Sequence, residues 1–110
     1  MSEYQLSEGA DADLLEIAIY TIKTWGPEQA DRYEVSLRAC FAAICDGRVR
    51  ARTFLERRPE IRFCRCEHHY VFFLQRENAC PLILAVFHEK MDLMARLRRR
   101  LEDPIHGLEA

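Results

Sequence analysis

The sequence contains no apolar run approaching the roughly 20 residues that a membrane-spanning helix needs. Its first residues, Met1 to Gln5, have neither the basic start nor the apolar core of a signal peptide. The cysteines number five, an odd total, and their spacing does not form the framework of a disulfide-rich secreted domain. We therefore expect a cytoplasmic protein in a reducing compartment.

Internal repeats and low-complexity segments are also absent from the sequence. The 110 residues are enough for one hydrophobic core and too few for two. The composition, 49% apolar and 31% charged, is typical of a globular protein. We expect a single domain over residues 1–110, with its core at about 4–101 and a flexible tail at 102–110.

The net charge of −2 conceals an uneven distribution of charge. Residues 1–46 carry nine acids and three bases, whereas residues 47–110 carry nine acids and thirteen bases. The second half therefore offers a cationic surface to an anionic partner, which could be nucleic acid, an acidic peptide or an acidic protein face.

Two amphipathic helices are predicted in the first half, after a short strand at residues 3–7. Ser7 can cap the first helix, and Gly26-Pro27 separates it from the second, which ends at Asp46-Gly47. So short a break predicts an antiparallel hairpin. The residues predicted to be buried are Leu14, Ile17, Ala18, Thr21, Ile22 and Trp25 in the first helix, and Ala30, Tyr33, Leu37, Cys40, Phe41 and Ile44 in the second.

The second half predicts a sheet and a final helix. Residues 48–60 are arginine-rich and indicate a loop with at most a short turn. Three runs rich in Val, Ile, Phe and Tyr follow, joined by connections too short for parallel crossovers, so they predict an antiparallel meander: Ile61–Cys66, His69–Gln75 and Leu82–Phe87. A helix over Met91–Leu101, with Met91, Met94 and Leu97 on one side, completes the order β-α-α-β-β-β-α.

Four segments, in this order and at this spacing, resemble the ParE branch of the RelE/ParE superfamily from about Tyr4 to Leu101. They are Tyr4-Gln5-Leu6-Ser7 with Asp13-Leu14 and Ile17; Tyr20-Thr21 with Trp25-Gly26, Gln29-Ala30 and Tyr33; Arg62 with Cys66-Glu67-His68-His69-Tyr70-Val71-Phe72; and His88-Glu89-Lys90-Met91-Asp92. The third segment is similar to the hairpin of plasmid-borne ParE toxins in particular.

The resemblance implies an α+β fold in which a helical hairpin packs on a small twisted antiparallel sheet. It also implies a toxin, without a catalytic centre or cofactor, that inhibits DNA gyrase and blocks replication. The partner that it implies is a ParD-like antitoxin, which carries a ribbon-helix-helix DNA-binding domain and wraps an extended tail around the toxin.

The alternative function is cleavage of ribosome-bound mRNA, as in the RelE branch. Such an enzyme needs several basic groups converging on one face of the sheet, and the candidates are Arg62, Arg65, Arg76 and His88. No tyrosine follows Tyr70, although the RelE branch has one beyond its last strand. For His88 the structural interpretation is a bond to backbone or to Asp92.

Cys64, Cys66, His68 and His69 could together bind zinc, or the two cysteines could pack as small hydrophobes. The Cys-x-Cys spacing is not that of usual structural zinc sites, so no metal is expected. Cys40, Cys45 and Cys80 are interpreted as core residues or free thiols.

The arginines indicate either a solvated surface or attachment points for acidic residues of a partner. Trp25 is expected in the core, and Tyr20 lies off the buried stripe. The candidate target-binding residues are His88, Lys90, Met91, Asp92, Arg96, Arg98, Arg99 and Arg100. The candidate antitoxin-binding residues are Tyr20, Arg48, Arg50, Arg52, Arg58 and Arg62.

Overall fold

The computed structural model describes residues 4–77 and 79–102 of the chain. In chain order the elements are β1 (Gln5–Leu6), α1 (Glu8–Trp25), α2 (Pro27–Cys45), β2 (Arg52–Thr53), β3 (Ile61–Cys66), β4 (His69–Leu74), β5 (Leu82–His88) and α3 (Leu93–Glu102). The predicted order is present, with β2 as an additional strand. Of the predicted tail, Glu102 ends α3 and residues 103–110 lie outside the described residues.

The sheet has five strands in the order β1-β5-β4-β3-β2. The antiparallel meander of β3, β4 and β5 is confirmed, and β1 joins it in parallel beside β5. The interpretation of residues 48–60 as a loop was wrong at β2, where Arg52 pairs with Phe63 and Thr53 with Arg62. Two residues are too few to show the alternation of a strand in the sequence, so β2 is recognised only by its pairing with β3.

The predicted cap and break of the helical hairpin are confirmed. Ser7 Oγ accepts a hydrogen bond from the Ala10 amide at 3.1 Å and donates to the Leu84 carbonyl at 3.2 Å, which fixes the start of α1 to β5. Gly26 turns the chain with a positive φ of 97°, which favours glycine, and Pro27 opens α2.

The hairpin covers one face of the sheet, and the core between them holds Ala10, Leu14, Leu37, Phe41, Ile44, Cys64, Cys66, Val71, Phe73, Ile83 and Val86. Burial of Ile22 and Trp25 was wrong, because their side chains are 47% and 70% exposed. Ile22 belongs to a second apolar stripe of α1, with Leu15 and Ile19 at i, i+4 and i+7 spacing, that faces away from the core. Spacing alone does not tell which of two apolar stripes a sheet will cover.

The opposite face of the sheet is covered by α3. Leu97 is fully buried against Phe72, Ala85 and Phe87. The predicted helix over Met91–Leu101 begins later, so Met91 lies outside it, and both Met91 and Met94 are 38% exposed whereas Leu97 is buried. The helix begins at Leu93, after Asp92 Oδ1 accepts the Ala95 amide at 3.2 Å, so its packed face is the i, i+4, i+8 row of Leu93, Leu97 and Leu101. Within the described residues, no helix is long and apolar enough to cross a membrane.

Candidate functional site

His88 lies at the end of β5, directly opposite His69 on β4, and the two imidazole rings meet edge to face with centroids 5.1 Å apart. The Lys90 amide donates to His88 Nδ1 at 3.1 Å. The imidazole therefore stabilises the turn that follows β5. This is the bond to backbone that the structural interpretation of His88 predicted. Asp92, the other partner considered, caps α3 instead.

His69 is held neutral by its surroundings. Its side chain is 7% exposed, and burial, aided by the neighbouring His88 and His68, lowers its pKa to about 4. Tyr33 Oη forms a hydrogen bond with His69 Nδ1 at 2.6 Å and accepts the His68 amide at 3.1 Å, so the phenol joins α2 to the start of β4. Burial raises the pKa of Tyr33 as well. The sequence placed Tyr33 on the buried stripe but gave no signal of this polar role.

Glu89 engages two of the basic groups that surround the end of β5. Its carboxylate binds Arg65 Nη2 and, at 3.1 Å, His68 Nδ1. Partial desolvation acts to raise the pKa of Glu89, but the hydrogen bond of His68 and the charge of Arg65 outweigh it and lower the pKa. The carboxylate therefore remains ionised and neutralises the guanidinium of Arg65.

The four basic candidates for RNA cleavage do not converge. Arg62 donates to the Ala51 carbonyl at 2.6 Å, and Arg76 donates to the Cys80 carbonyl and to Gln5 Oε1. By strand alternation Arg65 lies on the α3 face of the sheet, with Phe63, whereas Arg62 and His88 lie on the hairpin face. Through His69, the register places His88 beside Cys66. Cys66 and Arg62 are four residues apart along β3, a distance of about 13 Å, so Arg62 and His88 do not meet.

The predicted target-binding residues of α3 divide into two sets. Arg96, Arg98 and Arg99 are exposed, as are Lys90, Met91 and Asp92 before the helix. Arg100, in contrast, lies inside the molecule, where its guanidinium binds both carboxylate oxygens of Asp13 at 2.9 and 3.0 Å. It also donates to the Leu84 carbonyl and covers the Phe87 ring. The sequence gave no signal of this ion pair.

The predicted antitoxin-binding residues lie in two separate places. Tyr20 is 66% exposed on the outer side of α1. The arginines lie at the other end of the sheet, around β2, and several are already engaged: Arg48 with Asp46, Arg58 with Glu60, Arg52 over the Phe63 ring, and Arg62 with Ala51. Beside β2 an open cleft of about 590 Å³ is lined by Val49, Arg50, Arg52, Cys64 and Arg65.

The four residues considered for zinc are not brought together. The Nδ1 atoms of His68 and His69 bind Glu89 and Tyr33. Cys64 is buried, as the packing interpretation expected, but Cys66 forms a disulfide with Cys40 of α2, which the sequence did not predict. The reason is that the two cysteines are 26 residues apart and meet only when α2 packs on β3.

The sequence model of the family described as "ParE toxin of type II toxin-antitoxin system, parDE" matches residues 4–93, from β1 to the first residue of α3. The chain belongs to the ParE toxin family. The arginines of α3 follow the segment that the family model matches.

Two curated ParE proteins match nearly the whole chain. Toxin ParE of Escherichia coli is 42% identical over 102 residues, which cover 93% of this chain and 99% of the relative. Toxin ParE1 of Caulobacter vibrioides is 33% identical over 97 residues, which cover 88% and 99%. A solved structure titled "Chromosomal ParDE TA system from P. aeruginosa" shares the fold, with a TM-score of 0.66 and 18% identity over 80% of this chain and 96% of that one.

Proposed function

We propose that this ParE-family chain is a cytoplasmic toxin that binds and inhibits DNA gyrase and is neutralised by a ParD-like antitoxin. The observation that carries the proposal is the family match over residues 4–93. It is supported by the scatter of the basic groups, since a binding toxin needs no converging acid and base. We infer that the chain is not an enzyme.

The proposed target surface is the outer side of α3 with the turn before it. Arg96, Arg98 and Arg99 are exposed there, and Met91 and Met94 of the same segment are partly exposed. A cationic surface that contains methionine complements an acidic protein face with apolar gaps. Arg100 is left out of this surface, because contact with a target would require it to leave Asp13.

The proposed antitoxin surface is the second apolar stripe of α1. Leu15, Ile19 and Ile22 are 62%, 45% and 47% exposed, and Tyr20 and Trp25 flank them. Apolar residues at this spacing suit two kinds of partner: an apolar groove that receives the helix, or an extended apolar segment that lies along it. The arginines near β2 would then receive acidic residues of the same antitoxin, as the charge imbalance of the sequence indicates.

The experiment uses purified protein in two parallel reactions, gyrase supercoiling of relaxed plasmid and cleavage of mRNA on translating ribosomes. We expect blocked supercoiling or accumulated cleaved plasmid, together with intact mRNA, and relief of the block by the cognate antitoxin. Cut mRNA with normal supercoiling would instead establish the RelE-type activity. The residues to mutate next would then be Arg62, Arg65, Arg76 and His88.

A further inference from the structure

Three cysteine sulfurs meet where α2 packs on the hairpin face of β3. Cys64 Sγ and Cys66 Sγ are 4.0 Å apart, and the sulfurs of Cys40, Cys64 and Cys66 all lie within 4.8 Å of one another. Cys64 and Cys66 are 6% and 4% exposed, and Cys40 is partly buried. Among the described residues this is the cluster of histidine, cysteine or carboxylate ligands that is compact enough to hold a metal ion.

The distance of 4.0 Å between the sulfurs of Cys64 and Cys66 matches a known coordination geometry, and reduction of the disulfide frees Cys40 Sγ to move away from Cys66 Sγ. A metal–thiolate bond of about 2.3 Å places the sulfurs of a planar three-coordinate site about 4.0 Å apart. Zinc normally takes a fourth ligand, and the cluster supplies three. The nearby His68 and His69 have their Nδ1 atoms engaged by Glu89 and Tyr33. The set therefore favours a soft ion of low coordination number.

We propose that reduced Cys40, Cys64 and Cys66 form a binding site for one monovalent copper ion. In the oxidised protein two of these sulfurs are joined in the Cys40–Cys66 disulfide. A dithiol reductant supplies two electrons and two protons, yields the two thiols and becomes a disulfide itself. Copper(I) then displaces a proton from each sulfur that coordinates it, and no further electron transfer is involved.

The cluster is buried but connected to solvent. The cleft of about 590 Å³ reaches Cys64 and offers an entry path from solvent. Three thiolates with one monovalent ion carry two net negative charges, and Arg50 lines that same cleft.

Both forms of the cluster would tie α2 to β3 and so hold the helical hairpin on the sheet. Because the ion binds the folded chain, which alone brings the three sulfurs together, it should raise the melting temperature of the reduced protein. This inference is independent of the proposed gyrase function, since copper binding is measured without gyrase or antitoxin.

The test titrates copper(I) into the reduced full-length protein under anaerobic conditions, in competition with a chromogenic copper(I) chelator. We expect one equivalent bound, with thiolate-to-copper charge-transfer absorption and a rise in melting temperature. Cys64→Ala should weaken binding at least tenfold, whereas the matched control Cys80→Ala, a cysteine outside the cluster, should bind as the wild type does. The oxidised protein should not compete with the chelator.

A direct comparison guards against misfolding of a variant. Cys64→Ala keeps a small apolar side chain in the core, and its circular dichroism should match that of the wild type. The proposal is overturned if folded Cys64→Ala binds as tightly as the wild type, or if Cys80→Ala loses affinity equally. It is also overturned if the Cys40–Cys66 disulfide of the folded protein resists a dithiol, or if the wild type binds no better than a variant lacking all three cysteines.

Discussion

The ion pair of Asp13 and Arg100 should be a main support of α3. It joins the last turns of that helix to α1, while Asp13 Oδ2 also accepts the Val86 amide at 2.9 Å and Arg100 donates to the Leu84 carbonyl at 2.8 Å. The two side chains are 12% and 14% exposed, so water replaces these bonds poorly. The perturbation is Arg100→Ala, which leaves the Asp13 carboxylate without its charge partner.

Breaking a buried pair on one side typically costs about 3–5 kcal/mol of unfolding free energy. Partial exposure puts this pair near the lower end, about 3 kcal/mol, which is still a large part of a domain's total of roughly 5–15 kcal/mol. The corresponding fall in melting temperature is about 12 °C or more. The matched control is Arg99→Ala, an exposed arginine of the same helix, which should stay within about 0.5 kcal/mol of the wild type.

The assay is urea unfolding followed by circular dichroism, for Arg100→Ala, Asp13→Ala and the double variant. The double variant should lose less free energy of unfolding than the sum of the two single variants, because each single variant breaks the same ion pair and leaves one charge of it unpaired. A loss below about 0.5 kcal/mol for Arg100→Ala, with additive single variants, would refute the reasoning and return Arg100 to the candidate target-binding surface.

Three further predictions concern other parts of the molecule. The pKa of His69 is lowered from 6.5 to about 4 in the folded state, so the unfolded chain takes up the proton first as the pH falls. The free energy of unfolding, measured by urea titration, should therefore decrease from pH 6.5 towards pH 4, by about 2 kcal/mol at pH 5. A free energy of unfolding that does not change over this range would contradict the prediction. Ile19→Glu should lower the affinity for the antitoxin at least tenfold, measured by calorimetry, without loss of stability. Val35→Glu, on the exposed side of α2, should leave the affinity unchanged. Equal losses of affinity in the two variants would argue against the α1 stripe as the antitoxin surface. Deleting the residues after Glu89 should destabilise the fold, because it uncovers the sheet face under Leu97; a truncated chain that melts at the wild-type temperature would contradict that.

The sequence predicted those features whose signal is local. Ser7 before an acidic first turn indicated a cap, and Gly26-Pro27 indicated the break between two helices, because both signals act within a few residues. The three main strands were evident because each is long enough to show its composition.

What the sequence did not predict depends on contacts between distant segments. The Asp13–Arg100 pair spans 87 residues, and the disulfide joins a helix to a strand. Trp25 shows the same limit for burial. Trp25 continues the apolar spacing of α1, but it is the last residue of that helix, and its side chain is exposed because no strand covers it there.

The basic character of α3 was evident from the sequence, but the division of its arginines between the surface and the interior was not. Charge counts indicated a basic final helix, and the structure exposes Arg96, Arg98 and Arg99 while it turns Arg100 inward. Adjacent arginines of a helix point about 100° apart, so one of them can meet α1 while its neighbours face solvent. Which one does so follows from the position of Asp13 and not from the composition of the helix.

The most direct test of the central claim is a gyrase supercoiling titration with the wild type and a variant of the α3 surface. The variant is Arg96→Glu/Arg98→Glu/Arg99→Glu, and its folding and antitoxin binding are checked first. The account predicts that the wild type blocks supercoiling and that the folded variant requires at least tenfold more protein for the same block. Normal supercoiling with active wild-type toxin, accompanied by cleaved mRNA on ribosomes, would contradict it.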